Sequence, residues 1–249
     1  MRRINRMALS ALCLVLSGTA FAAGGGSPLD HANTNISSKA SLQRGARLFV
    51  NYCLSCHSAQ FMRYGRLAQD LDLTEDQVQD NLMLVPAKLG DPMTVAMTSD
   101  QAIEWLGAAP PDLSVVARSR GVDWLYTFLR SYYADDARPS GWNNTVYENT
   151  SMPNVLWELQ GIRTPVWETH TDESGLETRT LTGWEQVTEG GMTEEEYDSA
   201  IRDLVTYMEY MGEPAKLQRA SIGVWVLMFL ALFTFLAYLL KLEYWRDVH

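Results

Sequence analysis

Five consecutive residues, Cys53-Leu54-Ser55-Cys56-His57, hold the densest chemistry in the chain. This C-x-x-C-H spacing reads as a covalent c-type haem attachment. Two thiols three residues apart lie close together on a helical turn, so each can add to one vinyl group of the same haem. The adjacent His57 then offers its imidazole to the iron. A thioredoxin-like C-x-x-C would need a preceding strand, and the residues upstream read as helix. A zinc site would need about four ligands, whereas the only other histidines are His31, His170 and His249. The third cysteine, Cys13, falls inside an export signal and leaves with it, and Leu12 does not suit a lipoprotein cleavage site.

His57 fills one axial position. A methionine opposite it would raise the reduction potential and close the site to substrate, as electron transfer requires. Met62 is too near the attachment site to reach the other face. Met83 sits in an apolar run, and Met208 and Met211 belong to the last helix of the soluble part. Met93, Met97, Met152 and Met192 remain. Met152 stands in the polar, turn-rich loop Glu148-Asn149-Thr150-Ser151-Met152-Pro153-Asn154, where Pro153 biases it towards an extended backbone. The residues alone favour Met152 and leave the other three open. His31 or His170, giving a bis-histidine haem, is a further alternative.

Two helices must hold this chemistry. Leu42, Ala46 and Phe49 recur at helical spacing ahead of the motif, and Gly45 lacks a side chain where another helix could approach. Thr193-Glu194-Glu195-Glu196 forms a capping box. Tyr197, Ile201, Leu204, Val205, Met208 and Met211 follow on one apolar face, and Gly212 and Pro214 end it. Two such helices crossing beside a haem resemble the framework of class I cytochromes c. Between them, Thr164–Thr188 is polar, holds two tryptophans and reads as a hairpin turning around Glu173-Ser174-Gly175.

Both ends of the chain are committed elsewhere. Residues 1–22 read as a secretory signal: Arg2, Arg3 and Arg6, then an apolar run from Met7 to Leu16, then Ala20-Phe21-Ala22 as the cleavage site. Residues 220–240 carry no charge and are long enough to cross a bilayer as one helix. The expected organisation is a signal at 1–22, a periplasmic haem domain at 23–219, an anchor at 220–240 and a cytoplasmic tail at 241–249. The signal sets this orientation and points to a bacterial inner membrane. A formal net charge of −10 disfavours nucleic acid as a partner. Glu185, Glu189, Glu194, Glu195 and Glu196 suit either an acidic docking face for a basic cytochrome or a solvated helix start.

Taken together, these residues resemble the cytochrome c1 family, the haem subunit of the quinol–cytochrome c oxidoreductase (bc1) complex. The match rests on Cys53 to His57, on Ala109-Pro110-Pro111-Asp112-Leu113-Ser114 with Arg118-Ser119-Arg120-Gly121, on Met152-Pro153, and on Asp203-Leu204-Val205 through Glu213-Pro214 into a single anchor. The resemblance implies a mainly α, class I cytochrome c-like haem domain with long insertions, plus one C-terminal transmembrane helix. It implies one covalent haem c with His57 and Met152 as the iron ligands. Pro110 and Pro111 would pack along the haem edge, Arg120 would pair with a propionate, and Tyr126 would lie near the haem. It further implies electron transfer from a Rieske iron–sulfur subunit to a cytochrome c, beside cytochrome b, in a dimeric complex whose quinol oxidation lies in a partner. The rival expectation is a free-standing, membrane-tethered electron carrier.

Overall fold

The structure, a computed structural model, describes residues 28–171 and 177–247. The signal segment and the expected turn at 173–175 lie outside the described residues. Helix α1 (Lys39–Leu48) starts at Ser38, whose hydroxyl accepts from the Ser41 N–H. Its axis runs directly into a wider π-turn, Phe49–Cys53. Such turns are frequent at functional sites, and this one delivers the first thiol. Helix α8 (Glu194–Gly212) opens on the expected capping box: Thr193 N–H donates to Glu196 Oε2 at 3.0 Å, and Glu196 N–H to Thr193 Oγ1 at 3.3 Å.

Helices α1 and α8 cross at Gly45. A Cβ built there would sit 2.1 Å from the Asp203 carbonyl oxygen and 2.7 Å from Tyr207 Cβ. Asp203, 6 % exposed, completes the crossing. Its carboxylate accepts from Ser41 Oγ at 2.5 Å and from Arg44 Nε at 2.5 Å and Nη2 at 3.1 Å. Phe49 packs against Tyr207 from the end of α1, with ring centroids 5.4 Å apart.

The chain between these helices adds short elements around the crossing. Strand β1 (Ala59–Arg63) pairs antiparallel with β2 (Pro92–Met93) across α2 (Tyr64–Asp70) and α3 (Glu75–Leu82). Helix α4 (Ser99–Leu106) and the single turn α5 (Val116–Arg120) lead to α6 (Val122–Arg130). Arg130 ties α6 to α8 through a bidentate pair with Asp198, at 2.5 and 2.8 Å. Tyr197 donates its hydroxyl to the Leu129 carbonyl at 2.9 Å. Strands β3 (Tyr132–Ala134) and β4 (Trp142–Asn144) form a small pair, and α7 (Trp157–Gln160) precedes the long hairpin β5 (Ile162–Thr171) and β6 (Glu177–Thr188). The two hairpin strands flank the expected turn. The arm is largely exposed and rooted by Arg163, whose guanidinium lies 3.9 Å from the Trp184 ring centre.

Helix α9 (Lys216–Tyr244) follows α8 after three residues. Its segment Ser221–Tyr244 reaches a mean hydropathy of 2.4, and no residue of its most apolar stretch is buried in the haem domain. The helix runs four residues past the expected end at Leu240, because Lys241-Leu242-Glu243-Tyr244 contains nothing that breaks it. The architecture is mainly α, with one helix among the described residues long and apolar enough to cross a membrane, as expected.

Gly45→Ala should destabilise the haem-loaded protein by about 3 kcal/mol, since backbone rather than a flexible side chain occupies the space a methyl would take. Thermal unfolding should show this, and Gly90→Ala, with nothing within 4 Å of the added carbon, should change stability by less than about 1 kcal/mol.

Candidate haem-attachment site

The π-turn rotates Cys53 inward while the next turn brings Cys56 back to the surface. His57 N–H donates to the Cys53 carbonyl at 2.8 Å and Cys56 N–H to the same oxygen at 3.1 Å, so the motif is one closed loop of backbone. Both cysteines are free thiols, Cys53 buried and Cys56 half-buried. Burial, with Cys56 beside it, pushes the Cys53 thiol up to about 12.

His57 is 8 % exposed, and its Nδ1 lies 2.7 Å from the Pro111 carbonyl oxygen. That contact assigns the proton to Nδ1 and leaves the Nε2 lone pair available to a metal, as in sites where an outer partner fixes the ring of a metal-bound histidine. Burial lowers the pKa of the imidazole, with the Pro111 carbonyl and the Asp112 carboxylate opposing it. The neutral form, which a metal ligand requires, is favoured.

The Ala109–Ser114 segment holds this ring by a ladder of contacts. Leu113 N–H donates to the Ser58 carbonyl at 2.8 Å, Gln60 N–H to Asp112 Oδ2 at 2.9 Å, and Phe61 N–H to Ser114 Oγ at 3.1 Å. Asp112 Oδ1 also accepts from Ser114 N–H at 2.8 Å. The C-terminal end of α8 closes over the same segment, where a Cβ on Gly212 would lie 3.8 Å from the Ser114 carbonyl oxygen. Pro110 is half-buried and Pro111 exposed. Asp112 and Ser114, whose side chains do most of this work, were not singled out from the sequence.

Met152 is half-buried at the edge of the core. Its loop is tied back at several points: Arg138 Nη1 donates to Asn149 Oδ1 at 2.9 Å, Asn149 N–H to Asn143 Oδ1 at 2.9 Å, and Met152 N–H to Thr150 Oγ1 at 3.3 Å. Asn149 takes the left-handed conformation that lets the loop turn. Of the other methionines left open, Met93 is fully buried and its sulfur accepts from the Tyr207 hydroxyl at 3.5 Å. Met97 is half-buried. Met192 lines a groove of about 480 Å³ with Arg47, Tyr52 and Leu159. His31 is tied to Asp123 at 2.9 Å with its side chain 84 % exposed, and His170 stands exposed on the hairpin beside Glu168.

Arg120 and Tyr126 part company in the fold. Arg120 is exposed, its guanidinium 5.0 Å from the Trp124 ring centre and 5.9 Å from that of Tyr147. Trp124 stacks on Phe128 at 4.9 Å, and Phe128 meets Tyr132 edge-on at 5.2 Å, which makes an aromatic wall along one face of α6. Tyr126 is buried on the other face, beneath Arg130 at 4.7 Å and Arg202 at 5.9 Å. The i, i+4 spacing of Trp124 and Phe128 was the available signal for the wall.

A buried thiol, a second thiol on the same turn and an adjacent imidazole already satisfied at Nδ1 have the chemistry to hold a covalent haem, and the thioether of Met152 stands on a braced loop. Asp112→Ala should cost about 1–3 kcal/mol, because two backbone donors lose their acceptor. Chemical denaturation of the haem-loaded protein, followed at the haem absorption, would measure it.

The Cytochrome C1 family profile matches residues 32–248. A cytochrome c1 of Allochromatium vinosum is 48 % identical over 245 residues, covering 98 % of this chain and all of that one. A protein named ammonia monooxygenase gamma subunit, from Nitrosomonas europaea, is 46 % identical over 221 residues and covers 89 % of each chain. A cytochrome c1 of Rhodospirillum rubrum is 26 % identical over 241 residues, covering 83 % of this chain and 81 % of that one. The chain belongs to the cytochrome c1 family and is a haem-based electron-transfer protein carrying one covalent haem c.

Proposed function

We propose that this chain is the haem subunit of a cytochrome bc1 complex, receiving electrons from a Rieske iron–sulfur subunit and passing them to a soluble or membrane-bound cytochrome c. The observation that supports the reading is the His57 ring, directly after the two thiols and oriented by the Pro111 carbonyl at 2.7 Å. The haem, when bound, supplies one-electron chemistry between ferrous and ferric iron. Cys53 and Cys56 would hold it covalently, and His57, through Nε2, and Met152 would be its iron ligands. A thioether favours the ferrous state and raises the potential. With two protein side chains as ligands, the iron would be suited to electron transfer rather than to binding a substrate.

Pro110 and Pro111 line the edge nearest His57. Arg120, exposed beside Trp124 and Tyr147, is suited to a propionate, which needs a cationic partner when partly buried. The surroundings of Tyr126 support a packing role, and Trp124 takes the place beside Arg120. Residues 1–22 direct export, residues 23–219 stand in the periplasm of a bacterial cell, and 220–240 form the core of the anchor. Residues 241–249 end in the cytoplasm. Cytochrome b and a second copy of the complex are the expected neighbours.

The similarity to the protein named as a monooxygenase subunit supports a second reading, in which the same haem subunit serves another membrane enzyme. A reduced-minus-oxidised spectrum of the gently solubilised, tag-purified protein separates the readings. A c-type band with b-type bands, reducible by added quinol, is the expected result; a c-type band alone would remove the bc1 assignment. Met152→Leu should abolish the low-spin methionine-ligated spectrum and lower the reduction potential. Arg120→Leu should also lower the potential, because a cation near the haem disfavours the ferric state, yet change stability by only about 0.5–1 kcal/mol.

A further inference from the structure

Tyr132, the first residue of β3, is 2 % exposed, and its hydroxyl is enclosed with no hydrogen-bond partner among the described residues. Leaving such a group unpaired costs about 1–3 kcal/mol, and nearly all buried polar atoms in folded proteins avoid this. Burial holds the phenol far above its ordinary range, with the Thr150 side chain beside it pulling the other way. The hydroxyl makes no well-formed hydrogen bond among the described residues, and Thr150 is the polar side chain within its reach.

Its surroundings name the acceptor. Thr150 is 4 % exposed, and its Oγ1 already accepts from the Met152 N–H at 3.3 Å. The stranded hydroxyl thus stands against the turn that presents Met152. The ring is fixed independently, edge-on to Phe128, and so belongs to the aromatic wall that ends at Arg120. Tyr64 supplies an internal contrast. It too is fully buried with an unpartnered hydroxyl, but it opens α2 in the part of the core near Tyr207.

Resting on the reading of Met152 as the sixth ligand, we propose that Tyr132 is a positioning residue for that ligand. Its hydroxyl donates into the Thr150–Met152 turn when the haem is bound, and so keeps the thioether on the iron. The ring alone would pack equally well as phenylalanine. What the oxygen adds is a polar tie that loosens the ligand when it is removed.

The test uses the full-length, haem-loaded protein in detergent, with Tyr132→Phe, Thr150→Val, Tyr64→Phe and Met152→Leu compared with the parent. Two readouts report ligation directly: the near-infrared methionine-to-ferric-iron charge-transfer band, and carbon monoxide affinity of the ferrous protein, since carbon monoxide must displace the methionine. Tyr132→Phe should weaken the band and raise carbon monoxide affinity on the order of tenfold, equivalent to about 1.4 kcal/mol. Thr150→Val, which also removes the brace on the Met152 N–H, should shift both further the same way; if Tyr132→Phe does not fold, Tyr132→4-fluorophenylalanine, which fills the hydroxyl's space without a donor, should give the same shifts. Tyr64→Phe should leave both unchanged. Unaltered band and affinity in Tyr132→Phe, or an equal shift in Tyr64→Phe, would overturn the positioning role. Met152→Leu tests the underlying reading separately: a band that survives it means another residue ligates the iron, and the proposal falls with that assignment. A band lost there but intact in Tyr132→Phe leaves the ligand in place and removes Tyr132 alone.

Discussion

The approach of two backbones at Gly45 sets the geometry on which the remaining parts depend. Helix α1 rests on the Asp203 carbonyl of α8 so closely that no side chain fits. A carboxylate buried at such a crossing needs charge and hydrogen bonds to offset its desolvation. Ser41 and Arg44, both on α1, supply them from one side. The result locks the rotation of α1 about its own axis, because only one face offers Ser41, Arg44 and Gly45 together. That rotation decides where the π-turn at Phe49–Cys53 points, and hence that Cys53 is inside and Cys56 near the surface.

The far end of the attachment loop is held by a different kind of contact. The segment after α4 lies along residues 58–61 like a short extra strand, with Asp112 and Ser114 replacing part of the backbone ladder. The last turn of α8 covers it. His57 is therefore positioned by groups belonging to three separate stretches of chain. The opposite ligand, on the reading given above, is carried by a loop braced through Arg138, Asn143 and Asn149. A rigid histidine side and a braced methionine side suit a centre that must change charge with little movement of its ligands.

The same helix that crosses α1 also leads to the membrane. Only Glu213, Pro214 and Ala215 separate α8 from α9, and the joint is clamped by Lys216 pairing with Glu209 and Arg219 with Glu213. Leu217 packs back against the core. On the reading given above, so short and clamped a joint would hold the haem domain at a defined height above the bilayer. A long flexible tether would let it roam, as a lone carrier needs.

Much of this was legible in the residues. The C-x-x-C-H spacing, the capping box at Thr193, the bare position at Gly45, the hairpin strands and the uncharged run at the C-terminus all express themselves within a few residues. Helical and strand periods, cap chemistry and bilayer thickness act at that range. The loop around Met152 already favoured it among four methionines; the resemblance to known cytochromes narrowed that choice and added the Ala109–Ser114 segment, the latter as a string without a mechanism. Tertiary structure alone decided that the Pro111 carbonyl fixes the His57 tautomer across 54 residues, that Asp203 answers Ser41 across 162, and that Trp124 rather than Tyr126 shares a face with Arg120. Such contacts depend on which surfaces meet after the chain has closed large loops, and hydrophobic spacing along the chain carries no record of that meeting.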